Sequence, residues 1–213
     1  LALINACPSQ ETCMLVLDNA SQWMKGFMSD SDFLDTLRLC QLALHRGKIE
    51  PEGAVALRDQ IAEEFPAGDH RMNHELIRLA AYLKADSLSD LALACLYSYH
   101  DEMDRTLVAM YLQFFSHRWN AEQRFRLLKY YENVSSSTTS ASLAMYLQNV
   151  TKDFAKSLSE DDVLAILEQG ASWRNAALAA LDRISVPIDS ETVSTLLELD
   201  QDLVEDPNHG EIE

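Results

Sequence analysis

The stretch SDSDFLDTLRLCQLALHR, residues 29–46, decides the fold of this chain. Ser29 and Asp32 at its start form a pair typical of a helix N-terminus, because a hydroxyl can cap the first turn and a carboxylate lies near its positive end. The spacing i, i+4, i+7 and i+11 places four apolar side chains on one helical face: Phe33, Leu37, Cys40 and Leu44. The stretch therefore predicts an amphipathic helix with one buried face.

The same apolar stripe recurs twice along the chain. It consists of Met103, Leu107, Met110 and Phe114 in one place and of Leu143, Leu147, Val150 and Phe154 in the other. Further start signals are Ser87 with Asp90, Ser159 with Asp162, and Pro51 at a first helical position. Together these signals predict helices at residues 10–22, 30–46, 51–64, 72–84, 87–98, 102–117, 121–133, 139–156, 160–169, 173–184 and 190–204.

The short connections between these helices predict that consecutive helices run antiparallel. Helix pairs begin near residues 72, 102, 139 and 173, a spacing of roughly 30 to 37 residues that is typical of helical-hairpin repeats. We therefore expect an all-α fold, an α-α superhelix of stacked antiparallel helix pairs like those of HEAT and armadillo repeats. Residues 1–204 would form a single helical repeat domain, and residues 205–213 an acidic tail or the start of a linker.

Composition excludes several classes of partner. The chain has 17 basic and 34 acidic residues, and its formal charge of −17 repels the phosphates of nucleic acid. No apolar run approaches the ~20 residues that a membrane-spanning helix needs. Protein partners remain, either neighbouring domains or another protein. Because the chain starts at Leu1 without Met and ends in an acidic stretch, we expect it to be a segment of a longer protein.

The residues Asp69, His70, His74 and Glu75 form the best candidate for a metal site, since two histidines four apart can share a helical face. Three converging ligands are needed, and a third is missing from this face. The favoured interpretation is a polar helix start that Asp69 caps, with both histidines near solvent. The sequence predicts no bound metal and no cofactor.

Motifs for catalysis are also missing from the sequence. It contains neither a glycine-flanked nucleophilic serine nor a glycine-rich phosphate loop, so we predict that this segment is not an enzyme. The four cysteines have no metal or haem spacing. Cys40 and Cys95 are interpreted as core residues, whereas Cys7 and Cys13 either pair in an oxidising compartment or remain thiols.

Polar and aromatic clusters complete the pattern. The serine and threonine run at residues 135–140 favours a loop followed by a helix cap. Trp119 precedes the predicted cap residue Asn120, and we expect its ring to pack over its own helix start. A set of aromatic residues is interpreted as core, with an interaction groove as the alternative: Tyr97, Tyr99, Tyr111, Phe114, Phe115, Trp119, Phe125, Tyr130 and Tyr131.

Some of these residues resemble a known family. The run FPAGDHRMNHEL at residues 65–76, with Tyr82-Leu83 and Ala85, resembles HEAT-like helical regions of large proteins from planctomycetes and related bacteria. The run WNAEQR at 119–124 does so too, as does YLQN at 146–149 before Asp153. The resemblance covers roughly residues 30 to 200 and rests on helix-start and packing signatures.

In that family the helical region lies between a β-propeller that resembles sugar dehydrogenases and a C-terminal c-type haem domain. The resemblance therefore implies a periplasmic or other extracytoplasmic location. This chain departs from the family pattern at Asn120, where Thr is common, and at the serine run, where the family often has glycines. It also lacks the Cys-x-x-Cys-His haem motif, so haem binding would belong to neighbouring domains.

The leading hypothesis is a non-catalytic domain that acts as a spacer and docking scaffold within a larger extracytoplasmic protein. The alternative is a free-standing adaptor that binds a peptide or protein partner in a concave groove. The complete gene would separate them, because a propeller and a haem motif in the same chain favour the first.

A solenoid of stacked hairpins also predicts a hydrodynamic property. A compact chain of this length has a radius of gyration of about 17 Å, and we expect small-angle scattering on the monomer to give a value a few ångströms larger. A value at the compact limit with a symmetric distance distribution would contradict the superhelix.

Overall fold

The structure is a computed structural model, and it describes residues 2–99 and 101–181 together with residues 183, 190, 193 and 194. These residues form α-helices and short 3₁₀ turns, and the described part of the chain contains no strand. The predicted all-α class is confirmed. The predicted helix at 190–204 lies mostly outside the described residues, and the acidic stretch at 205–213 lies wholly outside them.

The helix bounds follow the predicted pattern closely. The α-helices are α1 Ala2–Ala6, α2 Gln10–Met24, α3 Asp30–Gly47, α4 Val55–Glu64, α5 His70–Leu83, α6 Ser89–Ser98, α7 Glu102–Leu112, α8 Ala121–Ser137, α9 Ala141–Ala155, α10 Glu160–Leu167 and α11 Arg174–Leu181. The 3₁₀ turns are Pro51–Gly53, Asp86–Leu88, Gln113–Arg118 and Gly170–Trp173. The sequence pattern missed α1, which is shorter than two turns.

The chain divides into two compact units, Leu1–Trp119 and Asn120–Glu213. In the first unit α2 packs on α3, α4 on α5 and α6 on α7, so each of three hairpins has a first and a second helix. The second helices also contact one another in the order α3, α5, α7, and we call them the second-helix layer. The predicted pairs began at α5 and α7, whereas the observed hairpins begin at α4 and α6. The loop before α5 folds that helix back onto α4.

Asn73 closes this loop. Its side-chain amide, which is buried, accepts from the N–H of Ala67 at 2.7 Å and donates to the carbonyl of the same residue at 2.9 Å. Asp69 then caps α5 by accepting from the N–H of Arg71 at 2.7 Å. The run at 65–76 thus makes a tight corner followed by a capped helix.

In the second unit, α8 packs on α9 and α10 on α11, and α11 also contacts α8 and α9. The Glu132 carboxylate of α8 accepts from the N–H groups of Asn175 and Ala176 at 3.0–3.3 Å, so it serves as a remote cap for the first turn of α11. Arg124 Nη2 lies 2.8 Å from Asp162 Oδ2, which ties α8 to the start of α10.

The N-terminal caps test the predicted start signals. Ser29 caps α3, Ser159 caps α10 in a capping box with Asp162, and Asn120 caps α8 in a capping box with Gln123, as predicted. The prediction for Ser87 is wrong, since a 3₁₀ turn occupies Asp86–Leu88 and α6 begins at Ser89.

Trp119 bonds to the start of α6, a partner that its position before Asn120 did not predict. Its indole Nε1 donates to the Ser89 hydroxyl at 2.8 Å, and its side chain is buried. A buried indole N–H needs an acceptor, and the hydroxyl at the start of α6 supplies one.

The first half of the serine and threonine run is helical, which corrects the predicted loop at residues 135–137, and residues 138–140 connect α8 to α9. Ser135–Ser137 end α8, where the hydroxyl of Ser136 donates to the carbonyl of Glu132 at 2.8 Å. This back-bonding lets serine remain in a helix by satisfying its hydroxyl within the preceding turn. Ser140 then caps α9, so the predicted cap is confirmed.

Two of the three predicted stripes are buried. All four members of the α3 stripe are core residues, and in α9 Leu147, Val150 and Phe154 are buried while Leu143 is partly exposed. The stripe at 103–114 is wrong, because Met103 is 69% and Phe114 55% exposed.

In α7, the helix of the stripe at 103–114, the buried face differs from the predicted one. Val108, Ala109 and Leu112 of α7 are buried, followed by Phe115 in the 3₁₀ turn. Val108, Leu112 and Phe115 follow the spacing i, i+4 and i+7, so the buried face keeps the helical period but lies one residue beyond the predicted Leu107 and Phe114.

The cysteines are all thiols in the structure. Cys13, Cys40 and Cys95 are buried, as predicted for Cys40 and Cys95, whereas Cys7 is exposed. Cys13 lies where α2 and α3 approach closely, since a Cβ added at Gly47 would lie 2.6 Å from Cys13 Cβ. The glycine in the last turn of α3 therefore allows this contact.

Two lysines end second helices in the same unusual conformation. Lys48 follows α3 with a φ of 47°, and Lys84 follows α5 with a φ of 55°. Each ends its helix in a Schellman motif, in which the N–H of Ile49 bonds to the carbonyl of Leu44 and that of Ala85 to Ala80. The two motifs lie 36 residues apart, within the predicted repeat spacing.

The first prediction from the fold concerns the α9 core. Leu147 is fully buried, and Leu147→Asp should lower the free energy of unfolding by about 3 kcal/mol or more through lost burial and a desolvated charge. Met145→Asp is the matched control, because Met145 lies in the same helix and is 61% exposed. Urea unfolding followed by circular dichroism measures both, and equal small losses would contradict the assigned core face.

The second prediction concerns the strained caps. Lys48→Gly and Lys84→Gly should each raise the free energy of unfolding by up to about 1 kcal/mol, because glycine adopts a positive φ without steric cost. Lys25→Gly is the control, since Lys25 ends α2 with an ordinary φ of −72° and should gain nothing. Equal effects at all three positions would count against strain at the two caps.

Candidate docking groove

The four residues weighed as a metal site each contact different side chains of this chain. Asp69 pairs with Arg71, whose Nη2 lies 2.7 Å away, and this bonding lowers the pKa of Asp69 to about 2. His70 is exposed, as expected, with its ring 5.8 Å from that of His74. His74 is partly buried rather than near solvent, and its Nε2 lies 2.8 Å from Asp104 Oδ1 of α7. Among the described residues no group of three or more His, Cys, Asp or Glu could hold a metal ion.

Glu75, the last member of that cluster, instead links the second-helix layer. Its carboxylate is buried and accepts from Arg38 Nε at 3.3 Å and Gln41 Nε2 at 2.9 Å, both on α3, and from Arg78 Nη1 at 2.9 Å on α5. Burial by itself raises the pKa of Glu75, but these hydrogen bonds and the charge of Arg78 outweigh it, so the pKa lies below its ordinary value.

Arg78 extends the network to α7. Its Nε donates to the Tyr111 hydroxyl at 3.0 Å, and its guanidinium carbon lies 5.9 Å from the centre of the Tyr111 ring. The hydroxyl of Tyr82, one turn further along α5, donates to the Ile49 carbonyl at 2.8 Å. The network therefore fixes aromatic side chains on the outer surface of the layer.

These side chains separate two adjoining depressions, which together we call the α3–α5–α7 groove. The larger has a volume of about 750 Å³ and the smaller about 440 Å³, and both are lined by Arg78, Tyr82 and Tyr111. The larger reaches His45, Arg46 and Lys48 at the end of α3. The smaller is mainly apolar and reaches Lys84 and Phe114.

The groove is cationic although the chain is acidic. Arg46, Lys48, Arg78 and Lys84 line it, and the carboxylate of Glu50 also contributes to its wall. Lys84 Nζ lies 3.7 Å from the exposed carboxylate of Glu52, a distance at which an exposed ion pair stabilises little. Arg78 is also paired with the buried carboxylate of Glu75. Four cations therefore face three carboxylates, which is a small local excess of positive charge on a chain with a formal charge of −17.

The aromatic prediction divides between core and groove. Phe115, Trp119, Tyr130 and Tyr131 are buried, which confirms the core interpretation for them. Tyr111 and Phe114 line the groove instead, and Tyr97 is 56% exposed, so the core interpretation is wrong for Tyr97 and Phe114. The sequence analysis missed Lys48, Arg78, Tyr82 and Lys84, because contacts across the layer join residues more than 30 positions apart.

Known proteins provide no guide to this groove: neither a family model, nor a curated protein, nor a solved structure matches the chain. In the part of the chain that the structure describes, every helix is too short or too polar to cross a membrane.

Glu75 and Glu132 predict opposite responses to pH. The lowered pKa of Glu75 means that its carboxylate stabilises the fold above the pKa of the unfolded chain and that this contribution is lost as pH falls. Burial raises the pKa of Glu132 more than its bonds to Asn175 and Ala176 lower it. Its contribution is therefore present at low pH and lost as pH rises through the folded pKa.

Two amide variants test these signs. Glu75→Gln should lower the free energy of unfolding by about 1–3 kcal/mol at neutral pH, with the loss disappearing toward pH 4, because charge-assisted bonds to two arginines are lost. Glu132→Gln should be neutral or stabilising at pH 7 and lose that advantage in acid. Urea unfolding across this pH range measures both, and parallel pH profiles for the two variants would contradict the assignment.

Proposed function

We propose that this chain is a non-catalytic helical repeat domain of the HEAT-like α-α superhelix type that docks a segment of another protein. The observation that carries the proposal is the α3–α5–α7 groove, where Phe114 is 55% and Tyr82 44% exposed beside fixed cationic side chains. Exposed aromatic and arginine side chains in a concave surface are the residues enriched where proteins bind one another.

The repeat arrangement is supported by the three hairpins of the first unit and by the two Schellman motifs at Lys48 and Lys84. In helical repeats each hairpin packs on its neighbours, which lines up the second helices as a continuous binding surface. This arrangement favours docking over a spacer role alone.

The setting we propose is a larger extracytoplasmic protein, on the resemblance of residues 65–76 and 119–124 to helical regions of planctomycete-type proteins. A free-standing adaptor with the same groove is the second candidate. The complete gene separates the two, since neighbouring propeller and haem domains would favour the scaffold.

A peptide selection tests the docking function. A random peptide library is displayed and selected on the immobilised full chain, and the enriched peptides are then measured against two variants. Phe114→Ala should abolish their binding with little change in stability, because the ring is exposed in the groove. Phe27→Ala is the matched control, since Phe27 is fully exposed and lies outside the groove.

Enriched peptides that lose affinity for Phe114→Ala and keep it for Phe27→Ala support the proposal. Failure to enrich any peptide, or equal losses in both variants, would contradict it.

A further inference from the structure

We propose that the occupant of the α3–α5–α7 groove is an acidic peptide segment that carries a large apolar side chain. The assignment rests on the proposed docking function and adds the chemistry of the partner. Two features of the groove carry it, its charge and the position of its apolar wall.

The charge lies in both depressions. Lys48 lines the larger depression and Lys84 the smaller, and Arg78 lines both. A peptide that lies across both depressions would meet the two lysines and Arg78, whose charge is already paired with that of Glu75. Acidic side chains on the peptide complement them, and complementary charge selects partners and raises association rates.

The backbone supports a binding role for Lys48. This residue and Lys84 each hold a positive φ that glycine would adopt at lower cost, and glycine is the commonest residue at this position of a Schellman motif. Cations near helix C-termini also favour the helix dipole. Arg46 already supplies one in the last turn of α3, whereas the last turn of α5 contains none, so this argument for a binding role applies to Lys48. A strained lysine that lines the groove is consistent with a need for its charge.

The apolar wall calls for an anchor side chain. The smaller depression is lined by Ala81, Tyr82, Tyr111 and Phe114, and its volume of about 440 Å³ lies within the range of side-chain and ligand sites. A Phe or Leu on the peptide would cover the exposed ring of Phe114 there, while its carboxylates reach Lys84 and Arg78.

An oligonucleotide shares the need for cations and stacking rings, and it is the less favoured occupant. Binding a phosphate backbone depends on many cationic contacts, whereas this groove offers four on a chain with a formal charge of −17. A peptide with few carboxylates and an apolar anchor matches the groove better.

Calorimetric titration of the full chain tests the inference with three probes. These are a short peptide of Glu and Asp with one Phe and one Leu, the same peptide with Gln and Asn in place of the acids, and a short oligothymidylate. We expect the acidic peptide to bind at least about tenfold more tightly than its neutral analogue, and its affinity to fall as salt is added.

Two double lysine variants separate the effect of charge in the groove from the effect of losing charge elsewhere on the chain. Lys48→Gln combined with Lys84→Gln should weaken the acidic peptide at least about fivefold. Lys25→Gln combined with Lys152→Gln removes the same charge from exposed lysines outside the groove and should leave affinity within about twofold. Phe114→Ala should weaken both peptides, and Phe27→Ala neither.

Three outcomes would contradict the inference, and they differ in whether the docking function is overturned with it. Equal affinity for the two peptides, with Phe114 still required, would overturn the acidic partner and leave the docking function standing. Tighter binding of oligothymidylate that depends on Lys48 and Lys84 would assign the groove to nucleic acid and overturn both. Absence of any peptide binding that depends on Phe114 would also overturn both.

Discussion

The carboxylate of Glu75 is buried where helices of the second-helix layer meet, and its bonds to Arg38, Gln41 and Arg78 hold that layer together. A buried charge is stable only when paired and hydrogen-bonded, so α3 and α5 must keep the register that brings these donors to it. Arg78, which Glu75 holds in place, also donates to the Tyr111 hydroxyl and so links α7 to α5. A single desolvated carboxylate thus fixes the relative positions of helices from three different hairpins.

The groove is a consequence of this network. Because Arg78 is bonded to Glu75 on one side and Tyr111 on the other, its guanidinium lies between the two depressions and cannot turn away into solvent without losing those bonds. Tyr82 is fixed by the carbonyl of Ile49. The surface that a partner would meet is therefore preorganised, which lowers the entropy lost on binding.

The second unit uses a buried carboxylate in another way. Glu132 accepts backbone N–H groups at the start of α11, and burial raises its pKa, whereas the arginines around Glu75 lower that of Glu75. The two glutamates occupy similar sites, near the middle of a helix and largely out of water. The balance between burial, which raises the pKa, and hydrogen bonds and neighbouring charges, which lower it, therefore decides which protonation state each environment favours.

The sequence by itself determined the local structure: the all-α class, most helix bounds, the caps at Ser29, Asp69, Asn120 and Ser159, and the core face of α3. These follow from side-chain spacing and from hydrogen bonds within one turn, which neighbouring residues supply.

Only the tertiary structure decided the partners of Glu75 and His74, the inward turn of Phe115 in place of Phe114, and the groove itself. The partners and the groove depend on residues about 30 or more positions apart. The inward position of Phe115 depends on which of two adjacent apolar faces of α7 packs inward, and both faces fit the helical period. Residues 135–137 are helical, and the hydroxyls of Ser136 and Ser137 bond to carbonyls of their own helix. The composition of the run gave no sign of that choice, since the same hydroxyls would equally have satisfied a loop.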